Sequence, residues 1–247
     1  STKDYIVSHT KKPYIIGLSM VKNEEDIIEP FIRHNLSYLD TICVLENNSC
    51  DGTKDILSKL QDEGLPLIVL NDPVSGYTQK EKMTRLCKHT IHTLFPDYIL
   101  FLDADEFIKC TCRESFFKTL NKIPNGAKAY IKWQSYLPSI NESREQKLSE
   151  FNMETRVENE QVLIKKVIYR PDGRDVGDIA ISQGNHDIEG VEQFIDINEI
   201  ILAHLPVRSI KQITQKAISG WMAYLIMDPK AREKGQGYQW MKIFDNI

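Results

Sequence analysis

The chain has 247 residues, with 31 Lys and Arg against 35 Asp and Glu, a formal net charge of −4. Its 41% hydrophobic and 27% charged residues are those of a folded chain and exclude disorder. The acidic balance without basic clusters excludes a general nucleic-acid binder, and no apolar run approaches the roughly 20 residues of a membrane span.

The first half alternates strand with helix. Tyr14 to Ser19 is a short apolar run that reads as a buried strand. Asn23-Glu24-Glu25-Asp26 reads as an acidic helix start, and Pro30 requires either a late start or a kink. Thr41 to Leu45 is the second strand; Asp51 is expected to cap a helix that Gly64 ends. Leu67 to Leu70 is the third strand, Gly76 precedes a long helix, and Tyr98 to Leu102 is the fourth strand. Strands apolar on both faces and alternating with helices imply a mostly parallel sheet, with ligands beyond the strands' carboxyl ends. The residues found there are Met20 to Glu24, Glu46 to Ser49, Asn71-Asp72 and Asp103 to Glu106, all polar or acidic.

The second half is mixed. Ala127 to Ser135, Val162 to Tyr169 and Ile195 to Ala203 read as strands, and Arg208 to Met227 as a helix. Residues 138–160 read as a polar loop or insertion, and 171–190 as a glycine-rich loop. Without a linker or repeat, 1–247 is expected to form one domain, made of a regular half at 1–110 and a mixed half at 111–247. The segment Ser1-Thr2-Lys3-Asp4 shows no signal peptide and reads as the start of a trimmed chain or fragment, so that other domains are free to flank it. Five cysteines, an odd number, point to free thiols in a reducing compartment.

Phe101-Leu102-Asp103-Ala104-Asp105-Glu106-Phe107 carries the strongest chemical signal. If the chain stays extended, Asp103 and Asp105 project to one side. Two carboxylates converging there repel unless a cation joins them, and hard oxygen ligands suit Mg²⁺ or Mn²⁺. The amide of Asn47 suits the edge of a nucleobase, because it both donates and accepts.

Met20-Val21-Lys22-Asn23-Glu24-Glu25, Glu46 to Thr53 and the Asp103 segment, followed by Ala203-His204-Leu205-Pro206-Val207-Arg208-Ser209 and Gln212 to Trp221, together resemble family 2 glycosyltransferases of the GT-A fold. The likeness is closer to a branch found in bacterial polysaccharide gene clusters. It implies an α/β, Rossmann-like, mostly parallel sheet flanked by helices, with a mixed, loop-rich C-terminal half. It also implies an inverting, hexosyltransferase-type enzyme that moves a sugar from a nucleotide sugar, typically a UDP-sugar, to a glycan or polysaccharide precursor. Asn23, Glu46, Asn47, Asp72, Asp103 and Arg208 would face the donor, and Asp103, Asp105 and His204 a divalent metal. Glu46-Asn47 stands where family members often carry two acids. The implied setting is cytoplasmic, with peripheral contact to the inner face of the membrane left open.

An inverting transfer needs a base for the acceptor hydroxyl. Asp187 is the first candidate, followed by Glu189 and Asp178, and His186 beside Asp187 is given an active-site, catalytic role of its own. Lys216 could neutralise phosphate charge, and Trp221 or Trp240 could stack on a sugar. Two rival readings stand beside this one. A haloacid-dehalogenase-like phosphatase also carries an Asp-x-Asp after an apolar strand, but on its first strand. A non-catalytic nucleotide-binding module would keep the fold alone.

Overall fold

The computed structural model describes residues 12–72, 78–136, 164–173, 176–209 and 211–218. The loop reading at 138–160, Gly76, Trp221 and Trp240 lie outside them. The elements run β1 (Ile15–Val21), α1 (Ile28–Asn35), β2 (Thr41–Glu46), α2 (Thr53–Asp62), β3 (Leu67–Asn71), α3 (Gln79–Leu94), β4 (Tyr98–Phe101), β5 (Glu106–Lys109), α4 (Arg113–Leu120) and β6 (Lys128–Ser135). They continue with β7 (Lys165–Tyr169), β8 (Ala180–Ile181), a 3₁₀ turn at Gln183–Asn185, β9 (Ile188–Glu189) and β10 (Phe194–His204). A helix, α5, covers 211–218.

Eight strands form one sheet in the order β3-β2-β1-β4-β7-β6-β10-β5. The four strands read from the first half are parallel, as their two-sided apolarity demands. Side-chain alternation splits them between two cores. Ile15, Ile42, Val44, Leu100 and Leu102 point to the face covered by α1, α2 and α4; Ile16, Leu18, Cys43, Ile99 and Phe101 point to the face covered by α3. The second half adds β7 antiparallel to β4 and β6, then β10 parallel to β6, and β5 antiparallel to β10. Strands from both halves thus share one sheet.

Several local expectations are corrected. The acidic stretch after β1 is a turn, and α1 starts late, which puts Pro30 in its first turn, where a missing N–H costs nothing. Gly52, not Asp51, is the N-cap of α2; Asp51 still receives the Thr53 N–H at 3.0 Å from one position earlier. Thr78 and Glu81 form a capping box that starts α3. The 171–190 segment is only partly loop. β8 and β9 make a small hairpin whose Ile181 and Ile188 are fully buried against α3.

Candidate active site

The site lies at the carboxyl ends of β1, β2 and β4, where β10 also ends. Two loops are stitched together first. Asn23 adopts a left-handed backbone (φ 56°), and its Oδ1 accepts the Cys50 N–H at 2.8 Å while its own N–H donates to Ser49 Oγ at 3.0 Å. Glu24 N–H donates to Thr53 Oγ1 at 2.8 Å. The loop after β1 is therefore fixed to the start of α2.

The segment Asp103–Glu106 does not stay extended. Glu106 N–H donates to Asp103 O at 3.0 Å, closing a turn. The two carboxylates consequently take different partners. Asp103 Oδ2 accepts from Lys166 Nζ at 2.7 Å and Oδ1 from Asn185 Nδ2 at 3.0 Å. The antiparallel register that sets Leu100 opposite Ile168 carries Lys166 to this point. The Lys166 ammonium also lies 2.9 Å from both Glu106 Oε1 and the Gly184 carbonyl. Its side chain is 1% exposed and that of Glu106 is fully buried. Burial pushes the Glu106 carboxyl up to about 8 against the pull of Lys166. Burial would lower Lys166, but Glu106 and Asp103 more than offset this and hold it charged.

Asp105 belongs to a second group. β10 runs beside β5 with His204 opposite Glu106, and Leu205 N–H donates to Asp105 O at 2.9 Å. Asp105 Oδ2 lies 2.9 Å from Lys216 Nζ, 3.6 Å from His204 Nε2 and 3.6 Å from Arg208 Nη1. Burial alone would raise this carboxyl; Lys216, then His204 and Arg208, hold it well below the ordinary range. Arg208 also binds Glu24 Oε2 at 2.6 Å and Asp26 Oδ2 at 2.7 Å, so the end of β10 is tied to the loop after β1. Burial lifts Glu24 to about 7 despite Lys216 and Arg208. His204 stacks on Trp133 at 4.0 Å and 28°, with Nδ1 3.4 Å from Ser135 Oγ.

The expected metal set of Asp103, Asp105 and His204 is thus not assembled as three. Among the described residues, no three His, Cys, Asp or Glu side chains gather at one point, because Lys166 and Asn185 occupy Asp103. The remaining pair, Asp105 Oδ2 and His204 Nε2, lies 3.6 Å apart, a separation that fits two neighbouring ligands of Mn²⁺ or Mg²⁺ once Lys216, 2.9 Å from the same oxygen, gives way. Glu24, Arg208 and Lys216 line a cavity of about 390 Å³ with Asn23, Cys50 and Asp51.

The other expected donor residues are occupied. Glu46 is buried and accepts Ser49 N–H at 2.6 Å, serving its own turn. Asn47 Oδ1 accepts from Lys82 Nζ at 2.9 Å, and Lys82 pairs with buried Asp72 at 2.7 Å. Asp187 and Glu189 are not brought to the Asp105–His204 pair. Asp187 Oδ1 takes Tyr130 OH at 2.6 Å and Lys128 Nζ at 2.7 Å, near the opposite end of β6 from Ser135. Glu189 holds exposed Lys80 at 2.6 Å. His186 remains near the centre, its ring 6.5 Å from that of Trp133. Glu24, Lys166, Glu106 and Trp133 are site residues to which no role was given from sequence. Lys166 had a visible signal: it is one of two adjacent lysines in an otherwise apolar run.

The profile of glycosyl transferase family 2 matches residues 19–168, more than half of the chain. The chain belongs to this family. Among solved structures, a mannosyltransferase from Pyrobaculum calidifontis, in complex with GDP-Man and Mn²⁺, is similar at TM-score 0.50 and 11% identity, covering 84% of this chain and 62% of that one. TarS of S. aureus reaches TM-score 0.47 at 14% identity, over 94% of this chain and 43% of that one. Glucosyl-3-phosphoglycerate synthase from Mycobacterium tuberculosis, in complex with Mn²⁺, UDP and phosphoglyceric acid, reaches 0.44 at 14% identity, over 89% and 78%. The chain therefore spans less than two thirds of the mannosyltransferase and less than half of TarS. The likeness to the mannosyltransferase is of the GT-A fold. A search of curated protein sequences returned no significant match. The family sets aside the phosphatase reading.

Proposed function

We propose that the chain is an inverting glycosyltransferase that uses a nucleotide sugar, a UDP-sugar in our reading, and a glycan or polysaccharide-precursor hydroxyl. The observation that carries this is the buried Asp105 carboxylate beside the cleft, with an imidazole, a lysine and an arginine within 3.6 Å. Asp105 and His204 would hold Mn²⁺ or Mg²⁺, which when bound offsets the charge of a departing nucleoside diphosphate. Lys216 and Arg208 add fixed positive charge at the same place, where a developing anion is stabilised without reorganisation. The loop pinned by Asn23 would form the donor wall, and the amide nitrogen of Asn47, whose Oδ1 Lys82 already holds, its base edge. The single shared sheet supports one domain at 1–247.

The buried thiols Cys43 and Cys87, pushed up to about 11 and about 12 by burial, are inert and suit a reducing cytoplasm. Among the described residues no helix is long and apolar enough to cross a membrane. Peripheral association with its inner face, or with flanking domains, stays part of the proposal.

The test is a thermal-shift screen of UDP, GDP and their sugars with and without Mn²⁺, beside direct titration of Mn²⁺ by electron paramagnetic resonance. UDP should raise the Tm only with Mn²⁺, and Asp105→Asn or His204→Ala should weaken retention of Mn²⁺ itself. Equal Mn²⁺ retention in both variants would sink the metal pair, and a nucleotide shift without turnover of any donor would favour the non-catalytic module.

A further inference from the structure

We infer that His186 is the catalytic base of the transfer, its Nε2 taking the proton of the acceptor hydroxyl. The inference rests on the glycosyltransferase reading above and deepens it. Its first ground is that the nearby carboxylates are committed. Asp187 Oδ1 receives Tyr130 OH, Lys128 Nζ and the Ile188 N–H, all within 2.7 Å. Three donors on one oxygen make this carboxylate a poor proton acceptor, and Lys128 and Tyr130 hold it below its ordinary range despite burial. Glu189 has both oxygens on Lys80, at 2.6 and 2.8 Å.

The second ground is position. Asn185, fully buried and in a left-handed backbone (φ 59°), donates to Asp103 Oδ1 and so ties the 3₁₀ turn to the end of β4. His186 is the next residue. Its ring meets Trp133 edge-on at 72°, while the same indole stacks on His204. The indole Nε1 is buried and has no partner among the described residues, leaving a donor beside both imidazoles. His186 therefore shares one indole with the Asp105–His204 pair.

The third ground is the state of the ring. His186 Nδ1 lies 2.9 Å from the Lys165 carbonyl. A carbonyl only accepts, so Nδ1 carries the hydrogen and Nε2 keeps its lone pair. A Cβ on Gly184 would stand 2.6 Å from that Nε2; only a glycine, at φ +76°, lets the ring pack there. The charges facing the ring are Lys166 from β7 and Asp103 from the end of β4; Lys165 is turned to Asp196 and Asp187 to Lys128. Burial, aided by Lys166 and opposed by the Lys165 carbonyl and Asp103, lowers the imidazole and keeps it neutral at pH 7.

In the step, the hydroxyl oxygen forms a bond to the anomeric carbon as its proton passes to Nε2. The carbon–oxygen bond to the diphosphate breaks, and its electron pair leaves with the nucleoside diphosphate. The imidazolium then releases its proton to water.

The experiment follows release of nucleoside diphosphate from UDP-glucose and from GDP-mannose, with Mn²⁺ and water as acceptor, from pH 5 to 9. His186→Ala should lower kcat by about 10²–10⁴-fold and remove the rise of kcat with pH on the acid side. Affinity for UDP or GDP should stay within about threefold, because a base acts in the chemical step. His186→Gln, which can keep the bond to the Lys165 carbonyl but takes no proton, should fold with an unchanged Tm and show the same loss. Asp187→Asn should keep the acid limb. Nitrogen NMR of the wild type should show the neutral ring protonated at Nδ1. Wild-type kcat and acid limb in both His186 variants, or a neutral ring protonated at Nε2, would overturn the inference while nucleotide binding upheld the family chemistry. Wild type that neither binds UDP or GDP nor cleaves either donor would overturn both.

Discussion

Lys166 holds a full charge where there is no water to solvate it. Its side chain touches Asp103, Glu106 and the Gly184 carbonyl and is 1% exposed. Breaking a buried pair by removing one partner costs about 3–5 kcal/mol, because the remaining charge has no compensation. Lys166→Met should therefore lose about that much in urea denaturation at pH 7, and Asp103 should lose its orientation. Lys166→Met combined with Asp103→Asn removes one charge from each side and should recover most of the loss. If the double variant were as unstable as the single, the ion network would not be the cause. The sequence signalled the lysine but not its partners: Asp103 was read as converging with Asp105 on one ion, because extended backbone was assumed. A backbone hydrogen bond from Glu106 to Asp103 turns the chain instead, and only the sheet register brings Lys166 to Asp103.

At the scale of elements, local patterns carried the first half well. Two-sided apolar runs fixed β1 to β4, and the helical spacing after them fixed α1 to α3, because each pattern reports burial directly. β5 and α4 were not foreseen. β5 is four residues long, and α4 starts at Cys112, whose sulfur accepts the Ser115 N–H at 3.4 Å in place of the usual oxygen cap. The β8–β9 hairpin was read as loop because two-residue strands have no period to detect. The loop after β1 offers the clearest test at this scale. Asn23 satisfies Cys50 N–H and tolerates the left-handed backbone better than most residues. Asn23→Gly should lose the hydrogen bond alone, about 1 kcal/mol. Asn23→Ala should lose more, because alanine also resists positive φ, and it should weaken nucleotide binding beyond the glycine variant. Equal stability of the two by calorimetry would show that the backbone conformation there carries no cost.

The whole molecule should respond to pH in an unusual direction. Two buried acids, Glu24 and Glu106, are raised to about 7 and about 8, in both cases chiefly by burial. An acid raised in the folded state binds protons that the unfolded chain has already released. Between the unfolded value of 4.5 and the folded value, the folded state therefore holds more protons, and stability falls as pH rises. Each proton is worth about 1.4 kcal/mol per pH unit within its window. Asp105 and Asp187 work in the opposite sense, since both are lowered, but their contribution is lost only in acid below the unfolded value of 3.8. Lys166 is raised, so its contribution is lost only in strong alkali. From pH 5 to 8 the two glutamates set the slope, opposed below the unfolded value of 6.5, among the described residues, by His186 alone, whose imidazole burial lowers. Calorimetric Tm should be highest near pH 5 and decline toward pH 8. Glu24→Gln should remove about half the slope below about pH 7, and Glu106→Gln the other half together with the decline from pH 7 to 8, each amide standing in for the protonated acid. Added Mn²⁺ should raise the alkaline end most, because a cation beside Asp105 also favours the ionised form of Glu24. A Tm that rises from pH 5 to 8, or a slope unchanged in the double Gln variant, would show that neither acid keeps its proton in the folded chain.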